Sequence, residues 1–436
     1  MLNLGFQGVV VNLPNKTRAK VLNVRCRQWH RKSGENTYMK KFWKLAAVAA
    51  TASLLVAACG SSDSASDTTV ASNDTTASGD GFTLANFTPF EGGTVVNCAP
   101  KSGPIKAAWI YVGPINDGGW TQAHHEGLKA VKAALGDKVE TTYKENIPEG
   151  PQVGTTIDQL VADGNTIIFG TSFGFQDAFA AAADKYPNVC FEFETGYIIK
   201  NNMSQAYGAG EDGDYLAGMA AGAASKTGKI GFVAPFAIPE VIRGVNSFAL
   251  GAKSMNPKAT VKVVWTNTWF DPAIERKAAD SLISAGVDAI ASAQDSPATG
   301  EAAKVKGIPW VGYDSDQNAN FPDIWLTANT YHWGDYETAR VQAALDGKWI
   351  SGDYYGGLND GFIKLATYGK LVSADTQAKI EAKKAELSAK SGSQFTGPIK
   401  AQDGTVKIEA GKTASHGDLM GMDYLVDNVI GELPKG

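Results

Sequence analysis

Cysteine and long apolar runs are both scarce in this chain of 436 residues, which contains only four cysteines. So few cysteines exclude a small scaffold stapled by several disulfides. No apolar stretch reaches the roughly 20 residues that a transmembrane helix needs. The sequence also lacks the Gly-x-x-x-x-Gly-Lys-Ser/Thr pattern of phosphate-binding loops and any DNA-reading motif, so we do not expect it to hydrolyse ATP.

Positive charge is scarce outside the N-terminal segment. Residues 1–58 hold 10 of the 40 basic residues and one of the 45 acidic ones, so the rest of the chain carries a net charge of −14. An acidic body is a poor partner for nucleic acid or for an anionic membrane surface. We therefore expect no nucleic-acid partner.

The N-terminal segment has the pattern of an export signal. Met39-Lys40-Lys41 is basic, an apolar run from Leu45 to Ala58 follows, and small residues precede Cys59, as in a bacterial lipobox. This pattern predicts a lipoprotein signal peptide, preceded by a spurious leader, within 1–58. It also predicts lipidation of Cys59 and a flexible tether over 59–100, rich in Ser, Thr and Asp. The alternative is an ordinary signal peptide with an incidental cysteine.

Such an export signal places the protein outside the cytoplasmic membrane, where disulfides form. Besides Cys26 and Cys59 the sequence has Cys98 and Cys190, which flank predicted strands that can be neighbours in a sheet. We predict a disulfide between these two, and two separate thiols remain the alternative.

Apolar strand runs alternate with helical stripes from about residue 104 to 330, which is typical of a parallel sheet covered by helices. Predicted strands lie at 105–112, 138–143, 166–170, 189–194, 205–208, 228–233, 260–265, 287–291, 308–312 and 325–328. Predicted helices lie at 121–135, 151–163, 175–186, 212–225, 240–253, 272–285, 297–306 and 333–346.

So many strands favour two sheets of about five strands each rather than one sheet. The pattern restarts around 206–228, so we predict an α/β fold of two doubly wound parallel-sheet lobes joined by a hinge. The N-terminal lobe would comprise 104–208 and about 333–346, and the C-terminal lobe 209–330 and about 347–436. The last part would form a brace with a helix near 373–390, a hairpin at 400–411 and a helix near 417–431.

Polar and aromatic residues recur where predicted strands end, which is the ligand edge of an open α/β sheet. The first such loop carries Asn116, Asp117 and Trp120, a combination that suits a flat, uncharged ligand. Trp120 could equally belong to the core, with Asn-Asp-Gly-Gly serving only as a turn. Later loops carry Ser172 and Phe173, then Glu194, Thr195 and Gly196. Those of the second lobe carry Trp269, Asp271, Asp295 and Asp314.

Several of these loops form motifs in register with one family. They are Gly-Pro-Ile-Asn-Asp-Gly-Gly-Trp-Thr at 113–121, Gly-Thr-Ser-Phe-Gly at 170–174, Gly-Val-Asn-Ser-Phe at 244–248, Trp-Phe-Asp-Pro at 269–272 and Gly-Tyr-Asp-Ser-Asp-Gln at 312–317. Over roughly 104–431 the chain resembles the basic membrane protein, or PnrA-like, family of substrate-binding lipoproteins of ABC transporters.

The resemblance implies a type I periplasmic-binding fold with three crossovers and lobes that close on a ligand. It implies a purine nucleoside or, in the branch with Trp in the first loop, a free base such as adenine. The implied partners are an ABC permease and its ATPase, and the implied oligomeric state is a monomer. Asp117, Trp120, Ser172, Phe173, Glu194, Thr195, Gly196, Trp269, Asp271, Asp295 and Asp314 match the family's ligand-site positions.

One departure bears on the ligand. Nucleoside-binding members of the family carry a lysine just after the strand at 325–328, where this chain has Asn329 followed by Thr330, Tyr331, His332 and Trp333. We expect His332 and Trp333 to crowd a sugar site, so that adenine binds more tightly than adenosine.

Two other functions are compatible with parts of this sequence, a serine hydrolase and a sensor receptor. The 170–174 motif fits Gly-x-Ser-x-Gly, so Ser172 could be a hydrolase nucleophile, although no oxyanion segment is evident. The same two-lobed body could serve as the receptor of a membrane sensor. His124-His125-Glu126 lacks metal-ligand spacing, so we expect no metal, no cofactor and no enzymatic activity.

Overall fold

The computed structural model describes residues 84–434. The predicted leader, signal peptide and Cys59 lie outside these residues, as does most of the predicted tether. Among the helices of the described part, none combines the length and apolar character needed to cross a bilayer.

The first sheet has seven strands in the order β1-β12-β6-β5-β4-β2-β3. Its strands are β1 (Phe87–Pro89), β2 (Ile105–Ile110), β3 (Val139–Lys144), β4 (Ile167–Gly170), β5 (Cys190–Glu194), β6 (Met203–Gly208) and β12 (Gly352–Gly356). All neighbours are parallel except β1 and β12. The helices packed within this lobe are α1 (Trp120–Leu135), α2 (Pro151–Ala162), α3 (Gln176–Lys185) and α8 (Trp333–Leu345).

The second sheet also has seven strands, in the order β13-β11-β10-β9-β7-β8-β16. They are β7 (Lys229–Ala234), β8 (Thr260–Trp265), β9 (Ala289–Ser292), β10 (Trp310–Tyr313), β11 (Trp325–Tyr331), β13 (Ile363–Leu365) and β16 (Val429–Ile430). Within this sheet only β11 and β13 pair antiparallel. The hairpin expected at 400–411 is present as the antiparallel pair β14 (Ile399–Lys400) and β15 (Val406–Ile408). The helices of this lobe are α4 (Gly210–Ala224), α5 (Pro239–Met255), α6 (Pro272–Ser284), α7 (Ala298–Lys306), α9 (Ala374–Ala389) and α10 (His416–Met420).

The chain crosses between the two sheets three times. The first crossover leads from β6 to α4, the second from β11 to α8, and the third from β12 to β13. The predicted fold class, two mainly parallel α/β lobes, is therefore confirmed. Strands β2 and β4 are buried almost throughout, as expected for parallel strands covered by helices on both faces.

Some boundaries differ from the sequence expectation. The sequence predicts a tether over 59–100, but part of that segment belongs to the fold, because β1 pairs with β12. The predicted disulfide between Cys98 and Cys190 is present. The sequence places 347–436 in the C-terminal lobe, but β12 belongs to the first sheet. The helix predicted near 417–431 ends at Met420, and β16 pairs with β8. Each sheet thus gains short edge strands that are too brief to show a hydrophobic period.

Candidate ligand-binding cleft

A cavity lies between the two lobes, at the carboxyl ends of strands from both sheets. Its space outside the atoms measures about 670 Å³, a figure that includes the open mouth. The residues that line it are Val112, Trp120, Thr171, Ser172, Phe173, Thr195 and Tyr207 on one side, and Glu211, Asp214, Phe232, Pro235, Glu240, Val241, Arg243, Gly244, Val245, Trp269, Ala293, Asp295, Tyr313 and Tyr331 on the other.

Trp120 is held rigidly at the wall of this cavity. Its side chain is 6% exposed, and its indole Nε1 donates to the Thr171 carbonyl oxygen at 2.7 Å. Tyr331 and Trp333 pack edge-on against the same ring, with centroids 5.7 and 5.6 Å away. The two readings of Trp120 therefore combine, because one ring both belongs to the core and lines the cavity.

Glu149 connects the two lobes at the cavity rim. One carboxylate oxygen, Oε1, accepts from Ser172 Oγ at 2.7 Å and from the indole Nε1 of Trp269 at 3.1 Å. Ser172 belongs to the loop after β4 and Trp269 to the loop after β8, so this acceptor joins the first lobe to the second. Ser172 thus bonds to a carboxylate, and this contact gives no support to a hydrolase nucleophile.

The rims also touch at a second point. Ser315 Oγ and Gln317 Nε2 both donate to the carbonyl oxygen of Gly118. A Cβ placed on Gly119 would lie 2.9 Å from the Cα of Asp295, so only glycine permits this approach of the two backbones. These contacts describe the lobes in a closed arrangement around the cavity.

The polar side chains at one end of the cavity form hydrogen bonds mainly with one another. Arg243 Nε donates to Glu211 Oε2 at 3.1 Å, and Tyr355 also donates to the Glu211 carboxylate. Asn329 Nδ2 donates to Asp214 Oδ1 at 3.3 Å. Burial, with the nearby Glu211 charge, raises the pKa of Asp214 to about 8. These groups neutralise or satisfy one another within the protein.

Two other polar groups of the cavity wall, in contrast, lack hydrogen-bond partners. Thr195 Oγ1 and Asp295 Oδ2 are buried and have no hydrogen-bond partner among residues 84–434. Thr195 sits in a left-handed backbone conformation, with φ of +95°, which is uncommon for a β-branched residue and points to a functional constraint. Burial, together with the charges of Asp117 and Asp314, raises the pKa of Asp295 well above its usual value, which favours its neutral form.

Several predicted site residues lie outside the cavity lining and serve the local structure. The Asp117 carboxylate accepts from the backbone N–H groups of Gly119, Thr121 and Gln122 at 2.9–3.0 Å, which caps the start of α1. Asp271 caps α6 in the same way. Burial raises the pKa of Asp117 to about 6 against these hydrogen bonds.

The remaining five predicted residues also lie outside the cavity lining. Asn116 is exposed to solvent, and Gly196 packs against the Phe193 ring, where a side chain would clash. Glu194 is fully buried within the first lobe. Asp314 and His332 face a second groove, and His332 is exposed there. The expectation that His332 and Trp333 crowd a sugar site is therefore wrong for this cavity, because Trp333 packs under Trp120 rather than beside the ligand space.

Sequence reasoning missed the residues that helices contribute. Glu211 and Asp214 lie in the first turns of α4, and Glu240 and Arg243 in those of α5. Their signal was charge on otherwise apolar, buried helix faces, which needs pairing or function to be tolerated. The cavity is also lined by three tyrosines at or near strand ends, Tyr207, Tyr313 and Tyr331. A tyrosine in such a position can belong either to the core or to a ligand site, so the residue type alone did not predict their role.

The sequence pattern of the PnrA-like ABC transporter substrate-binding proteins matches residues 105–393. The chain is 41% identical to the purine-binding protein BAB2_0673 of Brucella abortus, over 76% of this chain and 94% of that protein. It is 37% identical to TsgA13 of Haloferax volcanii, which is named as an ABC transporter glucose-binding protein, over 76% of this chain and 84% of that protein.

Solved structures show the same fold. A solute-binding protein of an ABC transporter system from Aeropyrum pernix superimposes with a TM-score of 0.59 at 17% identity, covering 72% of this chain and 95% of that one. One from Conexibacter woesei gives 0.55 at 22% identity, covering 65% and 96%.

Proposed function

Since the chain belongs to the PnrA-like family of ABC transporter substrate-binding proteins, we propose that its ligand is a purine, and that a free base such as adenine is preferred over a nucleoside. The protein binds this ligand between its lobes and presents it to an ABC importer without chemical change. The similarity to a protein named as purine-binding supports this ligand class.

The observation that carries the proposal is the composition of the cavity wall. Trp120 and Phe173 come from the first lobe and Trp269 from the second. Stacking of a base on an aromatic side chain contributes about 1–3 kcal/mol, whichever base it is. The hydrogen-bonding edge of a purine could satisfy Thr195 Oγ1 and Asp295 Oδ2, which have no partner in the described chain.

The preference for a base rests on which polar groups are free. Two of the four carboxylates that line the cavity are already engaged, Glu211 by Arg243 and Tyr355, and Asp214 by Asn329. Ribose hydroxyls at this end of the cavity would have to compete with these buried bonds, and a buried group left unpaired costs about 1–3 kcal/mol. Adenine makes no such demand.

Closure of the lobes would provide the signal that the importer recognises. Ligand contacts from both lobes favour the closed arrangement that the Glu149 and Gly118 bridges already describe. Lobe movements of this kind take place in microseconds to milliseconds. A monomer tethered through a lipid on Cys59 would reach an ABC permease and its ATPase at the outer face of the membrane.

Calorimetric titration of the purified protein with adenine, adenosine and glucose tests the proposal. We expect adenine to bind most tightly, adenosine more weakly, and glucose not at all. Tighter binding of adenosine would overturn the base preference alone. Binding of glucose without binding of either purine would overturn the ligand class and align the chain with the Haloferax relative.

A further inference from the structure

A second cluster of polar side chains lies inside the first lobe, behind the wall of the ligand cavity. It consists of His124 on α1, Glu194 at the end of β5 and Glu337 on α8, and all three are fully buried. Their potential ligand atoms lie within 4.8 Å of one another. Three segments distant in sequence therefore bring an imidazole and two carboxyl groups to one point.

These three side chains have no well-aligned hydrogen-bond partner among the described residues, although the Trp109 indole lies close to Glu337. Both nitrogens of His124 and all four carboxyl oxygens of Glu194 and Glu337 are buried without one. His124 Nδ1 is 2.9 Å from Glu194 Oε2 and 3.8 Å from Glu337 Oε1, but neither contact has hydrogen-bond alignment. Buried polar groups are nearly always paired, so a cluster of six unpaired atoms indicates a bound water or ion.

A neighbouring carboxylate shows what a completed arrangement looks like here. Glu192, two residues before Glu194 on β5, accepts from Arg340 at 2.7 Å, Tyr336 at 2.7 Å and Trp349 at 2.6 Å. Its charge is neutralised and its oxygens are occupied. Arg340 is thereby committed to Glu192, and among the described residues no lysine or arginine forms an ion pair with Glu194 or Glu337.

We infer that His124, Glu194 and Glu337 form a binding site for a divalent transition-metal ion of the zinc class. Two carboxylates and a neutral imidazole balance the charge of such an ion and supply the nitrogen and oxygen ligands that zinc accepts. Calcium and magnesium are less suited, because they require more oxygen ligands. Ligands bound tetrahedrally at 2.0–2.1 Å lie about 3.3 Å apart, and the distances of 2.9 and 3.8 Å from His124 bracket that value.

The surrounding packing leaves room for the cluster and connects it to the cavity. A Cβ on Gly127 would lie 2.6 Å from Glu337 Oε2, so glycine at this turn of α1 makes space for the carboxylate. The His124 ring stacks on Trp333 at 4.2 Å and meets Trp120 edge-on at 4.6 Å. The ion would therefore join α1, α8 and β5 and hold Trp120 in place from behind.

Metal analysis of the full chain, purified without a histidine tag and washed with a chelator to remove surface ions, tests this site. We expect about one zinc ion per chain, retained after the wash. Refolding with Co²⁺ should give the visible absorption bands of a tetrahedral site. A chain free of metal after refolding with excess zinc would overturn the inference, whatever its ligand-binding properties.

Variants separate a metal site from a pair of protonated acids. Glu337→Gln has the shape of a protonated Glu337, so in a proton-only cluster it would keep or raise the unfolding temperature. We expect it instead to lose the zinc and to unfold several degrees lower. The control Glu126→Gln changes an exposed carboxylate on α1, the helix that carries His124, and should keep both the zinc and the unfolding temperature. If Glu337→Gln fails to fold, the metal content of the wild type decides alone.

Discussion

Replacement of Trp269 by alanine should weaken adenine binding without unfolding the protein. Trp269 lines the cavity from the second lobe and is only partly buried, so truncation removes a stacking surface rather than core volume. Loss of stacking by about 1–3 kcal/mol corresponds to a dissociation constant about 5- to 140-fold higher. Trp120→Ala is less informative, because Trp120 is a buried ring whose removal costs about 3–5 kcal/mol of stability.

Two further variants determine the origin of the effect. Trp269→Phe keeps a ring but removes the indole N–H that bonds to Glu149, so it should recover most of the affinity if stacking dominates. Tyr197→Ala removes an exposed aromatic side chain that does not line the cavity and should leave binding unchanged. Calorimetry measures the affinities and thermal unfolding checks the fold. An unchanged affinity in Trp269→Ala would refute the stacking account.

Three other predictions concern Asp295, Asp212 and the disulfide between Cys98 and Cys190. Asp295→Asn should keep adenine affinity within a few-fold, because the neutral acid and the amide both donate and accept, whereas Asp295→Ala should weaken binding about 10-fold, as calorimetry can measure. Burial raises the pKa of Asp212 to about 7, so the folded state binds this proton more tightly and its contribution to stability is lost as pH rises from about 4 to 7. Asp212→Asn should therefore raise the unfolding temperature relative to wild type more at pH 8 than at pH 4, and an equal difference at both would contradict this. Replacing Cys98 and Cys190 by serine should lower the free energy of unfolding by about 2–4 kcal/mol in denaturant titration, and free thiols in the native chain by mass mapping would contradict the disulfide.

The repeated strand and helix pattern made most of the fold predictable. The strand expected at 260–265 occurs at Thr260–Trp265, and the helix expected at 333–346 occurs at Trp333–Leu345. Short apolar runs that are buried on both faces, such as β2 and β4, leave little choice of structure. The family resemblance is likewise confirmed, because its motifs are spread over both lobes.

The short strands near the sheet edges and part of the site were not predictable, for a physical reason. The segment Gly352–Gly356 reads as a polar loop, and only its place beside β6 makes it a strand. Among the residues of the loop motifs, those that line the cavity are Trp120, Ser172, Phe173, Thr195, Trp269 and Asp295. The motifs also included Asp117 and Asp271, because a helix cap and a ligand contact use the same short carboxylate. Glu211 and Arg243 reach the cavity through the packing of α4 against α5 in the second lobe, which local patterns do not encode.

The ligand itself gives the most direct test of the central claim. Protein purified under native conditions can be denatured, and the small molecules that it releases can be identified by mass spectrometry. We predict a purine, with adenine in excess over adenosine. Release of a sugar with no purine, and failure of the emptied protein to take up adenine again, would contradict the account.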